Sequence, residues 1–398
     1  MQVVELPRLT TVDRLKPKIL YLVTEDWYFC SHRLSLACAA RDAGFEVTVV
    51  TEVNNHGDYI RREGFKLVPI TFSRSARTPW QDLQTLFAIW RIYRTEHPDI
   101  VHHVALKPVI YGSIAAAMRG GVKVVNALTG LGYIFSSNHL KAQVLRTFIM
   151  NTLRWLLRGP NTWLILQNLD DWHLLVDSGV VDAAHIVVIP GSGVDTSEFK
   201  PVLEAGGIPT VLLASRMLWD KGVGEFVAAA KRLQEEGITA RFVLVGDTDP
   251  ENPSAIPTTM LTQWQRSGAI EWWGWRTDMA EVFKQSHIVC LPSYREGLPK
   301  VLIEAAAAGR PIVTTDTPGC RSVVKDGDNG LLVPVRDVIA LSAALKHLIN
   351  NASLRRQMGI AGRLLAETEF AVGRITGETI ALYRHILENT KSHSRDQC

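Results

Sequence analysis

Short apolar runs alternate with longer amphipathic stretches along most of the chain. Residues 18–23, 46–51, 66–70 and 99–103 are runs of five or six residues dominated by Val, Ile and Leu. They are too short for buried helices and too continuous for strands with one wet face, so they predict parallel strands covered on both sides. Residues 83–94, between the last two runs, carry a helical period. Strand and helix in repetition mark a doubly wound α/β sheet. The alternation continues through residues 122–127 to a last strand and exit at 187–195, breaks over the Pro- and Gly-rich segment 199–209, and resumes from Thr210 to about Val335. Two doubly wound domains joined by a linker are therefore predicted, with a final amphipathic stretch at residues 375–387 and an aperiodic lead-in over residues 1–16.

Composition changes this picture little. A chain of 398 residues suits two cores of ordinary size. A net charge of +3, with 46% hydrophobic and 21% charged residues, describes a folded globular protein and argues against a disordered or nucleic-acid-coating one. The five cysteines (Cys30, Cys38, Cys290, Cys320 and Cys398) form no Cys-x2-Cys pair, which fits reduced thiols in a cytoplasm. With no apolar leader and no long uncharged apolar run, the chain is expected to be neither secreted nor membrane-spanning.

The stretch richest in chemistry is residues 295–304. It follows the apolar run 287–292 and leads into a predicted helix at 301–308, giving the order strand, turn, helix. Pro299 fits the first helical turn, Gly297 permits close approach of the backbone to a ligand, and the free amides of a helix start suit a phosphate. Glu296 and Glu304 are eight residues apart. On one continuous helix they would lie about 80° apart around the axis, so Glu296 is expected on the turn and Glu304 on the helix. That separation suits a ligand with hydroxyls at both ends and a diphosphate between, which describes a nucleotide-sugar. A strand–helix unit with one surface and one capping glutamate has the same spacing.

Glu296 and Glu304, with Gly297, Leu298, Pro299 and the Ala-rich helix between, resemble the Glu-x7-Glu motif of retaining family-4 glycosyltransferases. Residues 215–222, after the apolar run 211–213, are similar to that family's Arg-x4-Lys-Gly loop, with Arg216 and Lys221 as its cations. Residues 243–247, 273–278 and 315–320 fall where the family has its other loops at carboxyl ends of strands. The resemblance implies the α/β fold called GT-B, two doubly wound Rossmann-like domains facing across a cleft. Residues 1–200 would bind the acceptor, residues 201–372 the nucleotide-sugar donor, and a terminal helix at about 373–398 would cross back onto the first domain.

The same resemblance implies transfer of a sugar, an N-acetylhexosamine or a relative, from a UDP-sugar to a lipid-linked (undecaprenyl-diphosphate) saccharide, with retention of configuration. Arg216 and Lys221 would take the charge growing on the departing diphosphate, Glu296 the sugar hydroxyls and Glu304 the ribose. Gly297, Leu298, Pro299, Asp247 and Thr129 would line the donor. Thr129, in the Gly-rich turn 128–133, stands where some related transferases carry a histidine, so no catalytic histidine is carried over. No cofactor beyond the donor is expected. Asp247-Thr248-Asp249 has the Asp-x-Asp form of a metal motif, yet it ends a strand of the second domain, where Arg216 and Lys221 already bring the charge that Mg²⁺ would supply. A nucleotide-sugar epimerase and a non-catalytic nucleotide-sugar-binding protein are the alternative readings.

For the acceptor, residues 24–33 lack the glycines of a dinucleotide fingerprint, which argues against NAD. Their aromatics and His32-Arg33 suit an acceptor with a phosphate group, unless Arg33 is a plain surface charge. His103 and Lys107, at the end of a strand and the next helix start, complete the candidate acceptor contacts; His102 and His103 are equally readable as structural. From residue 100 to 169 there are seven Lys or Arg and no Asp or Glu. Within that span residues 140–157 mix apolar side chains with bases, among them Lys141, Arg146 and Arg154, and Arg158 follows. Such a composition suits a helix lying on an anionic membrane, and a core helix with a solvated basic edge equally. Peripheral attachment to the inner face of the cell membrane is the expectation.

Overall fold

The structure, a computed structural model, describes residues 16–72, 79–130 and 140–395. The lead-in expected over residues 1–16 lies outside these apart from Lys16, as do Leu131, Gly132 and Tyr133 of the Gly-rich turn, the side chains at positions 140–145 and 389–395, and residues 396–398. Two parallel sheets organise the rest. The first contains β1 (Lys18–Glu25), β2 (Glu46–Glu52), β3 (Lys66–Pro69), β4 (Ile100–Val104), β5 (Lys123–Leu128), β6 (Thr162–Leu166) and β7 (Ile186–Val188). Their spatial order is β3-β2-β1-β4-β5-β6-β7. The second contains β8 (Thr210–Ala214), β9 (Arg241–Val245), β10 (Glu271–Trp272), β11 (Ile288–Leu291), β12 (Ile312–Thr315) and β13 (Gly330–Val333), ordered β10-β9-β8-β11-β12-β13. Both are doubly wound, so the fold is the expected pair of Rossmann-like domains.

The continuous apolar runs form strands because each strand has a core on either side. Ile19, Tyr21 and Val23 of β1 join one cluster, with the helix Leu34–Asp42, while Leu20 and Leu22 join another, with Ile89, Tyr93 and Ala115. In β8, Val211 and Leu213 pack with Phe226 and Leu345, whereas Leu212 and Ala214 pack with Leu302 and Phe370. The helix Val372–Arg395 crosses back to the first sheet and buries Ile375, Tyr383 and Ile386 there. Two helices after β13, Val338–Ile349 and Ala352–Glu369, extend the second domain beyond the expected strand–helix set; Asp337 and Asn351 cap them through the amides of Ala340 and Leu354.

The chain passes between the sheets twice, and the two passages lie side by side. Val194 donates to Phe370 O at 2.8 Å and Val372 donates to Val194 O at 2.9 Å. In each sheet the strand order reverses once, between β1 and β4 and between β8 and β11. Ligands of doubly wound sheets bind outside the carboxyl ends of the strands at such points.

Candidate active site

The loops after β8 and β11 share the second crevice and are stitched together. Gly222 has φ +71°, and a Cβ there would lie 2.1 Å from Pro292 O, so the first loop can lie against the second only with glycine at this position. The Tyr294 amide donates to Asp220 O at 2.9 Å, and Ser293 Oγ donates to the same oxygen at 3.1 Å. This brings Lys221 Nζ to 2.5 Å from Glu296 Oε1, with both side chains largely buried. The two sequence motifs therefore meet. Arg216 Nη1 donates to Asp249 Oδ2 at 3.0 Å, so the second aspartate of Asp247-Thr248-Asp249 serves the guanidinium. Asp247 accepts from the Thr248 amide and is exposed at the turn after β9.

Glu296 lies on the turn and Glu304 in the helix Lys300–Ala307, as the spacing predicts, with Pro299 as the residue before the first turn. Glu304 is buried, its carboxyl is pushed up by desolvation, and Lys300 Nζ lies 3.3 Å away. Such a carboxyl has little water to lose when a hydroxyl approaches.

Gly297 also makes contacts that its sequence does not reveal. A Cβ on it would lie 2.1 Å from Thr129 O, and Gly130, at φ +122°, packs its α-carbon side against Gly297 N. The close approach is between the two domains. Leu298 is buried and reaches Gly191 across the same seam. Several polar contacts hold it. Asn168 Nδ2 donates to Gly297 O at 2.7 Å, Arg295 Nη2 to Asp171 Oδ1 at 2.7 Å, and Lys300 Nζ to Ser31 O at 3.0 Å. Arg321 adds an ion pair to Asp170 at 3.2 Å. Asn168 and Asp171, both 2% exposed, are the cap and first turn of the helix Leu169–Asp177. Sequence reasoning missed them; an Asn two residues before an Asp pair was legible as a helix start but gave no hint of a partner 129 residues away.

On the first domain, Arg33 is 5% exposed, so the surface-charge reading fails. His32 stacks on Tyr28 with ring centroids 4.2 Å apart. His103 does not face an acceptor. It is fully buried, its Nε2 lies 2.8 Å from Tyr93 OH and its Nδ1 2.8 Å from Asn126 Oδ1, so both ring nitrogens are occupied inside the protein. Gly112 makes room for it, since a Cβ there would meet the imidazole at 2.5 Å. Lys107 lies in the first turn of the helix Leu106–Arg119, after Ala105, whose φ of +75° is strained for a residue with a side chain.

The helix Leu140–Leu157 spans the residues expected of it. Ile149, Leu153, Leu156 and Leu157 are buried, while Phe148 and Trp155 are 68% and 69% exposed. Arg154 and Arg158 donate to the carbonyls of Ser178 and Gly179, closing the end of the helix Leu169–Asp177. It is a core helix with an aromatic outer edge. Among the described residues no helix is long and apolar enough to cross a membrane.

Comparison with known proteins agrees with this geometry. Residues 18–168 match the family described as glycosyl transferase 4-like, and residues 208–351 match glycosyl transferases group 1. The N,N'-diacetylbacillosaminyl-diphospho-undecaprenol alpha-1,3-N-acetylgalactosaminyltransferase of Campylobacter jejuni is 29% identical over 81% of this chain and 87% of its own. The UDP-Gal:alpha-D-GlcNAc-diphosphoundecaprenol alpha-1,3-galactosyltransferase of Escherichia coli is 28% identical over 69% and 72%. Among solved structures, sucrose-phosphate synthase from Thermosynechococcus elongatus superposes with a TM-score of 0.80 at 19% identity, covering 94% of this chain and all of that one. Anabaena HepE, solved with UDP and glucose, gives 0.73 at 16% identity, covering 92% and 99%. With both domains matched and the two motifs joined at the crevice of the second, the chain belongs to the family-4 glycosyltransferases of GT-B fold.

Proposed function

We propose that the protein transfers a sugar, an N-acetylhexosamine or a relative, from a UDP-sugar to a saccharide carried on undecaprenyl diphosphate, with retention of configuration, in polysaccharide or glycan assembly. The observation that carries this is the meeting of Lys221 and Glu296 at the crevice of the second sheet, from motifs 75 residues apart. The names of the two relatives support the acceptor class, since both act on diphospho-undecaprenol saccharides. Both names specify an alpha-1,3 linkage, which an α-configured UDP-sugar donor would give by retention.

In this reading the anomeric carbon–oxygen bond to the β-phosphate breaks through an oxocarbenium-like state. Negative charge grows on the leaving diphosphate, where Lys221 and Arg216 meet it in a partly buried site. As Lys221 turns to the diphosphate, Glu296 is released to accept from the sugar hydroxyls, and Glu304 accepts from the ribose. The acceptor hydroxyl attacks from the face that the phosphate leaves, and its proton passes to the departing phosphate oxygen, giving UDP and the extended glycoside. No residue is assigned as nucleophile, and no metal is assigned to the step. The outer edge of the helix Leu140–Leu157, with Phe148 and Trp155, is proposed to rest on an anionic bilayer where the acceptor resides.

A panel of UDP-sugars tested for thermal protection identifies the donor, because a ligand at a hundred times its Kd stabilises by about 2.7 kcal/mol. Protection by UDP-sugars together with turnover only when the lipid-linked saccharide is added supports transfer. A new free nucleotide-sugar formed without acceptor supports the epimerase instead.

A further inference from the structure

We propose that Lys300 is a positioning residue for ribose recognition: its ammonium, shared between Glu304 and the Ser31 carbonyl of the first domain, fixes the carboxylate that accepts from the ribose hydroxyls. This rests on the reading above that Glu304 takes the ribose. Lys300 opens the helix Lys300–Ala307, directly after Pro299. A cation is unwelcome there, because the free amides of a helix start carry partial positive charge. Its order with Glu304, lysine four residues before glutamate, is also the weaker one for an ion pair along a helix. Local rules therefore do not account for this lysine. Its two partners do.

The ammonium lies 3.3 Å from Glu304 Oε1 and donates to Ser31 O at 3.0 Å. Ser31 is in the last turn of the helix Asp26–His32, which follows β1, so its carbonyl belongs to the negative end of a helix at the carboxyl edge of the first sheet. Here a cation is welcome. A lysine with one partner swings on a flexible four-carbon stem, whereas one held at two points stays beside its carboxylate. The ribose site of the second domain is thereby anchored on a backbone oxygen of the first.

Glu304 is 8% exposed, and among the described residues Lys300 is the only side chain paired with it. The carboxylate keeps lone pairs for two hydroxyls. Burial pushes its carboxyl up, Lys300 pulls it back down, and Glu198, just before the linker, pushes it up again. Other charges around this helix are engaged elsewhere: Arg363 donates to Ala307 O at its far end, and Arg321 pairs with Asp170 and Asp316. His32, next to Ser31, is held neutral by burial, at about 3, so it adds no charge.

The test compares UDP with 2′,3′-dideoxy-UDP by calorimetry on the full chain. Both carry the same titrating phosphate, so the ratio of their affinities isolates the ribose hydroxyls. Wild type should prefer UDP by roughly 10- to 100-fold, the size expected for hydrogen bonds to a charged group. In Lys300→Met that preference should fall about 10-fold at neutral pH. The preference should rise with pH in both proteins as Glu304 ionises, with the midpoint higher in Lys300→Met, because the variant lacks the cation that holds the carboxyl down. Recovery at high pH also shows that the variant is folded. If Lys300→Met weakens both nucleotides equally and keeps the preference, Lys300 contacts the diphosphate directly and the proposal is overturned. An unshifted midpoint overturns it too. Glu304→Ala separates this idea from the reading beneath it: the variant should show no preference at all. A Glu304→Ala protein that prefers UDP as wild type does removes the ribose assignment itself, whereas loss in Glu304→Ala with full preference in Lys300→Met removes only the role of Lys300.

Discussion

The two sheets share one strand order, with one more strand at the end of the first, yet the cations near their crevices are partnered differently. At the crevice of the second domain both motif cations have an acidic partner within the protein: Lys221 has Glu296 and Arg216 has Asp249. In the first, Arg33 is buried without an acidic partner among the described residues, beside two imidazoles with orphaned nitrogens. A neutralised pair is stable with no ligand bound, and in the proposed reaction it would exchange one anion for another as the leaving group develops. One strand order thus carries two different sets of crevice residues, and function has to be argued from those residues and not from the fold.

The largest effect should follow from breaking the neutralised side. Lys221→Ala removes the ammonium that meets the leaving diphosphate, and kcat should fall by about 10²-fold or more. Glu296 loses its partner, yet it lies on a turn at the crevice and in no strand or helix, so circular dichroism should be unchanged; near-normal turnover would contradict the assignment.

Next comes the seam that holds the two crevices together. Asp171→Ala strands Arg295 in a mostly buried position, and breaking a buried pair costs about 3–5 kcal/mol. The melting temperature should drop and kcat should fall with UDP affinity retained, because Glu296 loses its bracing from the first domain while the nucleotide contacts remain. Gly297→Ala places a methyl against Thr129 O and should part the domains, read as a larger radius of gyration in solution scattering. A variant as compact and active as wild type would show that the seam does not position the donor loop.

A smaller contrast separates the glutamates. Glu304→Ala should weaken binding of UDP and of the UDP-sugar alike, whereas Glu296→Ala should spare UDP and impair transfer. Equal loss of UDP affinity in both would erase the distinction drawn from turn and helix positions.

The smallest effect concerns the membrane. Phe148→Ser with Trp155→Ser should reduce flotation with anionic liposomes without altering the fold, since both rings already face outward. Salt should weaken the residual binding. Unchanged flotation would move the membrane contact elsewhere.

Much of this was legible in the chain. Runs such as residues 18–23 announce strands buried on two faces, and the placing of Glu296 on a turn and Glu304 on a helix was readable too, because local spacing determines both; Arg216 and Lys221 stood out only through the family resemblance. The seam was illegible, since Asn168 and Gly297 become partners only when two independently folded sheets meet. Gly297 shows the difference well: its lack of a side chain was readable, but its neighbour was not. His103 was misread for a related reason, because a strand end in sequence does not say whether Tyr93 and Asn126 have already filled an imidazole's two positions.

The most direct test of the central claim is the anomeric configuration of the first product, read by proton coupling across the anomeric centre after a single turnover with a UDP-α-sugar and an undecaprenyl-diphosphate saccharide, with and without chelator. Same-face transfer at the Lys221–Glu296 clamp predicts an α-glycoside formed at the same rate in both. A β-glycoside, or a rate that vanishes with chelator, would contradict it.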